Sequence, residues 1–401
     1  NTPEERLIEN KTYVLMGDGC MMEGVVNEAA SLAGKLRLHN MIALYDDNHI
    51  TIDGDTNIAF TEDVAARFAA LEWNVLHADG ENVAEVSAAI EKAKTSDRPT
   101  LIVCKTVIGV DLPTKQGTCK AHGEPPGKDL QLMKEKYGAT EEFVVPEEVK
   151  AVFAATVERN AKTYDAWQAL AKAYAAKHPA EWADFERRLR RDVSKISGMF
   201  AEELPANEKG EATRISNGKA LNELAAVLPE IVGGTADVGA SVKAVIANTP
   251  AFHADPRGRD IHFGIREHAM GSIANGMSIY GGLIPYCSAF FVFSDYMRPT
   301  IRLAALSHYP TIFVFTHDSI GVGEDGPTHQ PIEHLASFRA MPNCVVIRPA
   351  DANETRAAWK VAVERDNGPT VLVFARQNSA IIDRKEFAPS ENVRRGAYVL
   401  K

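Results

Sequence analysis

The chain has 401 residues, enough for two or three domains, and its 45% apolar and 24% charged side chains make an ordinary globular composition able to bury a core. With 44 basic against 54 acidic side chains the formal charge is −10, which argues against nucleic-acid binding, and no apolar run is long enough to cross a bilayer. Five scattered cysteines, without a CxxC pair, argue against a disulfide framework or zinc site and fit a reducing, cytoplasmic compartment.

The chain opens on Asn1 and soon enters an apolar strand, which reads as a fragment of something longer. Residues 12–16 form that strand, closed by Gly17-Asp18-Gly19. A helix is expected over 23–38, then a strand over 41–45 ending in Asp46-Asp47-Asn48. Strands follow at 74–77 and 101–105, with a helix over 83–94 between them. Residues 117–127, rich in Gly, Pro and His, read as a loop. Residues 146–195 read as a helical connector, and 202–211 as a Pro- and Glu-rich break. A second series starts near Ser216, with helices over 217–228, 267–280 and 295–306. Its strands are expected at 230–233, 260–263, 283–287, 311–316, 344–347 and 370–374. Buried runs alternating with amphipathic helices predict an α/β fold with parallel sheets flanked by helices. Domains are expected at 1–177, with the connector reaching about 204, and at 205–386; residues 387–401 begin a further one.

Gly-Asp-Gly between a strand and a helix lets backbone amides approach an anion, and the helix start adds partial positive charge. Asp18 supplies a hard oxygen there. Asn48, at the end of the next strand, supplies another, and ligands gather at the carboxyl ends of parallel strands. The two together predict a divalent cation held beside phosphate oxygens. Gly-Asp-Gly alone is more often a plain turn; the strand–GDG–helix–strand–DN order is what carries the reading.

Residues 17–24 (GDGCMMEG), 28–34 (EAASLAG), 45–48 (YDDN) and 50–54 (ITIDG) resemble the transketolase family's version of the thiamine diphosphate motif. So do 261–271 (IHFGIREHAMG) and 316–331 (THDSIGVGEDGPTHQP). The resemblance implies two thiamine diphosphate-binding-type domains, one for the diphosphate and one for the pyrimidine ring. It implies thiamine diphosphate with Mg2+ or Ca2+, the metal held by Asp18, Asn48 and the Ile50 carbonyl, beside Gly17 and Gly19. Glu23 matches a glutamate at the family's dimer interface, and Glu267 the carboxylate that activates the aminopyrimidine. Phe290, Phe293 and Tyr296 match the ring pocket, although their spacing of three would equally suit a core stripe on a helix.

By the same resemblance His317 contacts a sugar phosphate, Asp325 reads a donor hydroxyl, His329 binds near the reacting oxygens and His122 stands beside the cofactor; an imidazole there can donate to a developing alkoxide. Arg214, Ser241 and Arg376 match phosphate-binding positions, and Asp237 a residue near the cofactor. Cys119 stands where many relatives carry a histidine. The implied function is ketol transfer between sugar phosphates through a thiamine diphosphate-bound carbanion, in the pentose phosphate pathway or Calvin cycle. The alternatives are a dihydroxyacetone synthase or a catalytically silent dimerisation module. The implied assembly is a homodimer with active sites at the subunit interface, in the cytoplasm, or in a plastid if a transit peptide precedes.

Overall fold

Apolar runs without polar alternation must be covered on both faces, and this chain covers two sets of them separately. The computed structural model describes residues 5–139 and 141–401 and divides into two units, Asn1–Trp182 and Ala183–Lys401.

In the first unit, strands Thr12–Gly17, Met41–Asp47, Thr100–Lys105 and Asn74–Asp79 lie in that spatial order, all parallel. Ala43, Tyr45, Leu101 and Val103 face a cluster with Met21, Ala30, Phe68 and Trp73. Ile42 and Ile102 alternate with them and meet Ala89 and Ala93 of helix Val83–Ala93 on the other side. Strand Thr12–Gly17 is at the sheet's edge, with Leu15 82% exposed. The helix expected over 23–38 is Gly24–Lys35, and a short helix not expected from sequence, Asp18–Met22, precedes it. The two are broken at Glu23, whose ψ of 132° is extended. The short helix turns the chain straight off the strand end, so Asp18 opens a helix rather than ending a loop. Later come a 31-residue helix, Glu147–Lys177, and the helix Pro179–Leu189.

The second unit carries a six-stranded parallel sheet. Its spatial order is Val345–Ile347, Thr370–Phe374, Ile312–Thr316, Ile284–Phe290, Ile231–Thr235 and Asp260–His262. Ile312 and Val314 face a cluster built on Leu221, Leu224 and Trp359, where the Trp359 indole N–H donates to Asn217 Oδ1 at 2.8 Å. Phe313 and Phe315, also buried, alternate to the opposite face, where Phe315 meets Phe291 and Phe338.

The break expected over 202–211 is a correction. Asn207–Ala212 is a strand, paired antiparallel with Asn378–Ile381. The ribbon needs glycine at Gly210, where φ is +48° and a Cβ would sit 1.7 Å from the Ser379 carbonyl oxygen. Residues after 382 stay with this unit. Arg384 pairs with buried Asp351 at 3.1 Å, Tyr398 with Glu354, and the Ser390 N–H donates to Glu203. Among the described residues no helix is long and apolar enough to cross a membrane.

Candidate functional sites in the two units

In the first unit the parallel register sets Gly17 opposite Asp46, so the chain leaving each strand does so at the same edge. Asp18 is there, only 4% exposed. Its Oδ1 accepts from the Tyr45 hydroxyl at 2.5 Å, while Oδ2 is buried without a hydrogen-bond partner. Burial, followed by the nearby Asp47 charge, raises its pKa against the pull of the Tyr45 bond. A ligand atom from each of Asp18, Asp47 and His49 lies within 4.8 Å of the others. A buried carboxylate with one satisfied oxygen and one orphaned one has the chemistry of a cation ligand.

Asn48 stands between Asp47 and His49; its Oδ1 accepts from the Ile50 N–H at 2.9 Å and its amide donates to Asp46 at 3.2 Å. That bond fixes the Asn48 side chain and leaves a second lone pair on its oxygen. Gly17 and Gly19 flank Asp18, and a Cβ on either would meet no atom within 4 Å, so packing in this unit does not demand them. Glu23 is exposed at the break between the two helices, and His122 is exposed after a short 3-10 turn, Cys119–Ala121. Tyr45, Asp47 and His49 were not singled out from sequence. The signal was available: Tyr45 and Asp47 share one face of their strand, two residues apart.

In the second unit the strand Ile312–Thr316 delivers His317 in a left-handed conformation, φ 61°. Its ring is 4% exposed and lies 3.8 Å, centroid to centroid, from Phe290. Thr316 Oγ1 lies 2.8 Å from Nδ1, and Nε2 is 4.0 Å from Asp325 Oδ2. Arg214 donates to the Ser241 carbonyl at 2.6 Å, and its buried Nε has no partner. Burial and the Arg376 charge lower the Arg214 pKa, with Asp325 opposing. Arg376 itself pairs with Glu324. Burial pulls the His317 pKa down to about 4, helped by Arg214, Arg376 and His329 and opposed by Asp325. The structure therefore brings Arg214, Ser241, His317, Asp325, His329 and Arg376 into one cluster with two arginines. Glu324 belongs to it as well and was not singled out from sequence.

The aromatic residues are not a core stripe. Phe290 ends a strand, Phe293 immediately precedes helix Ser294–Leu306, and Tyr296 is exposed. The buried ring is Phe291, one position off the expected set. Phe293 meets His329 edge-on at 5.3 Å and Tyr296 at 6.2 Å. Glu267 is half-buried as the first residue of helix Glu267–Tyr280, and Asp237 is exposed at φ 61°.

Two family profiles match the chain: "Transketolase, thiamine diphosphate binding domain" over residues 1–194 and "Transketolase, pyrimidine binding domain" over 209–380. The transketolase of Aquifex aeolicus is 47% identical over 98% of the chain and 57% of its own length. Transketolase-1, chloroplastic, of Arabidopsis thaliana is 44% identical over 100% of the chain and 54% of its own. Transketolase from Leishmania mexicana superposes with a TM-score of 0.94 at 41% identity, over 99% of this chain and 60% of that one. The Pichia stipitis transketolase complex with sedoheptulose-7-phosphate gives 0.93 at 42%, over 100% and 60%. The chain thus spans about three fifths of the length of such relatives.

His317 makes stability depend on pH. Its pKa is lower folded than unfolded, so as pH falls below about 6.5 the unfolded chain takes up a proton that the folded one refuses. Stability is therefore lost from about pH 6.5 down to about pH 4, in total on the order of 3 kcal/mol. Urea denaturation at pH 7 and 4.5 should show wild type losing about 2 kcal/mol more than His317→Gln across that interval. Equal losses in both would remove the buried neutral imidazole from this account.

Proposed function

The chain belongs to the transketolase family, and on that premise we propose that its protein transfers a two-carbon ketol unit reversibly from a ketose phosphate to an aldose phosphate. The observation that carries the proposal is the buried, unpaired Oδ2 of Asp18 at the end of a parallel strand. It is supported by the two-arginine cluster that surrounds His317 in the second unit.

In this reading Asp18, Asn48 and the Ile50 carbonyl hold Mg2+ or Ca2+, with Asp47 and His49 close enough to orient them or replace one of them. Gly17 and Gly19 leave room for diphosphate oxygens beside that cation. Thiamine diphosphate, when bound, supplies the stabilised carbon nucleophile that ketol transfer requires and that no side chain offers. Glu267, the half-buried first residue of its helix, sets its carboxyl against the pyrimidine ring nitrogen as the acid–base partner of the ring. Phe290, Phe293 and Tyr296 flank the ring, with Asp237 near it.

Arg214, Arg376 and Ser241 bind the phosphate of the sugar; the arginines do so through paired, charge-assisted hydrogen bonds. His317, neutral near pH 7, donates one ring N–H without a charge of its own. Asp325 accepts from a donor hydroxyl, and His329 and His122 donate to the reacting oxygens. A bound phosphorylated ketose in the similar Pichia stipitis protein favours this substrate class. The same reading makes the protein a homodimer with active sites at the subunit interface, Glu23 being exposed for that contact.

Three measurements on the full-length protein test these roles. Mg2+ with thiamine diphosphate should stabilise wild type against heat, by about 2.7 kcal/mol at one hundred times the dissociation constant. Asp18→Asn should lose that stabilisation; full retention would unseat Asp18 as a metal ligand. Glu267→Gln should keep the far-UV circular dichroism of wild type and slow turnover by about 10²- to 10⁴-fold. Unchanged turnover refutes its proton role. Arg376→Ala should raise KM for phosphorylated ketoses by roughly ten- to a hundredfold while sparing unphosphorylated ones; equal losses for both classes would take it out of the phosphate site.

A further inference from the structure

The Arg376 guanidinium is already paired, with the Glu324 carboxylate. The two partners differ in how firmly they are held. Arg376 is 32% exposed, whereas Glu324 is 72% exposed and follows Gly323 at φ 80°, with Gly326 at φ 78° two residues on. The same loop supplies the acid of a contrasting pair, Asp318 with Arg348 at 2.6 Å, in which the carboxylate is 1% exposed. Asp318 cannot leave without stranding a buried charge. Glu324 can rotate into water at little cost, since an exposed ion pair contributes little.

The charges around the cluster point the same way. Arg214 and Arg376 oppose Asp325 and Glu324, so the resting site is close to neutral. A phosphate arriving on both arginines adds negative charge beside Glu324.

We propose that Glu324 is a specificity-determining residue that occupies Arg376 in place of the substrate phosphate and must swing away when a phosphorylated sugar binds. The carboxylate keeps the arginine oriented and discourages stray anions, so that affinity for the phosphate is traded for selectivity. The proposal rests on Arg376 being a phosphate ligand, as argued above. No bond is made or broken; one ion pair exchanges for another.

The test uses the full-length protein and inorganic phosphate as probe, followed by titration calorimetry, with KM measured for a phosphorylated and an unphosphorylated ketose. Glu324→Gln should tighten phosphate binding about two- to fivefold and lower KM for the phosphorylated donor in step. KM for the unphosphorylated donor should be unchanged. Glu324→Ala, which also removes the side-chain polar atoms, should give the same gain. Unchanged or weaker phosphate binding in both variants, with a clear loss in Arg376→Ala, overturns the role of Glu324 and leaves the phosphate site standing. If Arg376→Ala also leaves phosphate binding unaltered, the site itself is wrong and the proposal falls with it. A loss of kcat on both donors alike would assign Glu324 a structural role and overturn the proposal too.

Discussion

The parallel pairing of Thr12–Gly17 with Met41–Asp47 is the constraint on which the first site depends. Because both strands run the same way, both end at one edge, and the register places Gly17 beside Asp46. Asp18 and the Asp47–His49 segment must then meet. A shift of one residue would turn Tyr45 and Asp47 to the other face of the sheet, away from Asp18. The apolar clusters on either side hold the register in place, since a slip would send Ile42 into the cluster packed around Ala43 and Tyr45 and those two into the cluster around Ile42. Core packing therefore sets the geometry of the polar site, and Tyr45 belongs to both.

Burial gives the two units opposite problems. In the first it leaves a carboxylate oxygen of Asp18 short of a partner, and burial raises the pKa of that carboxyl. In the second it leaves a histidine unable to take up a proton beside two arginines. An anion between Arg214 and Arg376 would relieve the second, just as a cation at Asp18 would relieve the first.

What could be read from sequence follows from what each signal depends on. The strands of both sheets were legible as continuous apolar runs, and Gly17-Asp18-Gly19 closes one of these runs even though that strand lies at the edge with Leu15 exposed. The ribbon of Asn207–Ala212 with Asn378–Ile381 was not, because its pairing spans more than 160 residues and its NEKGEA run is polar. The aromatic set was ambiguous for a different reason. A spacing of three has meaning only once the helix start is known, and here the helix begins at Ser294, after the first two rings. Of the site residues, Asp18, Arg214, His317 and Arg376 were reached through motifs. Tyr45, Asp47, His49 and Glu324 act through neighbours that only the fold supplies.

The paired glutamate and aspartate of the Gly323–Gly326 loop illustrate why residue type alone does not assign a role. Glu324 and Asp325 are adjacent carboxylates, yet one meets Arg376 and the other approaches His317 Nε2 at 4.0 Å. Successive side chains diverge because the backbone is pinned by positive-φ glycines at both ends, a conformation that side-chain-bearing residues rarely adopt. An alanine at Gly323 or Gly326 would cost backbone strain and also redistribute the two charges between arginine and histidine. The glycines thus act on the electrostatics of the cluster without touching it, through the directions in which the two acids are aimed.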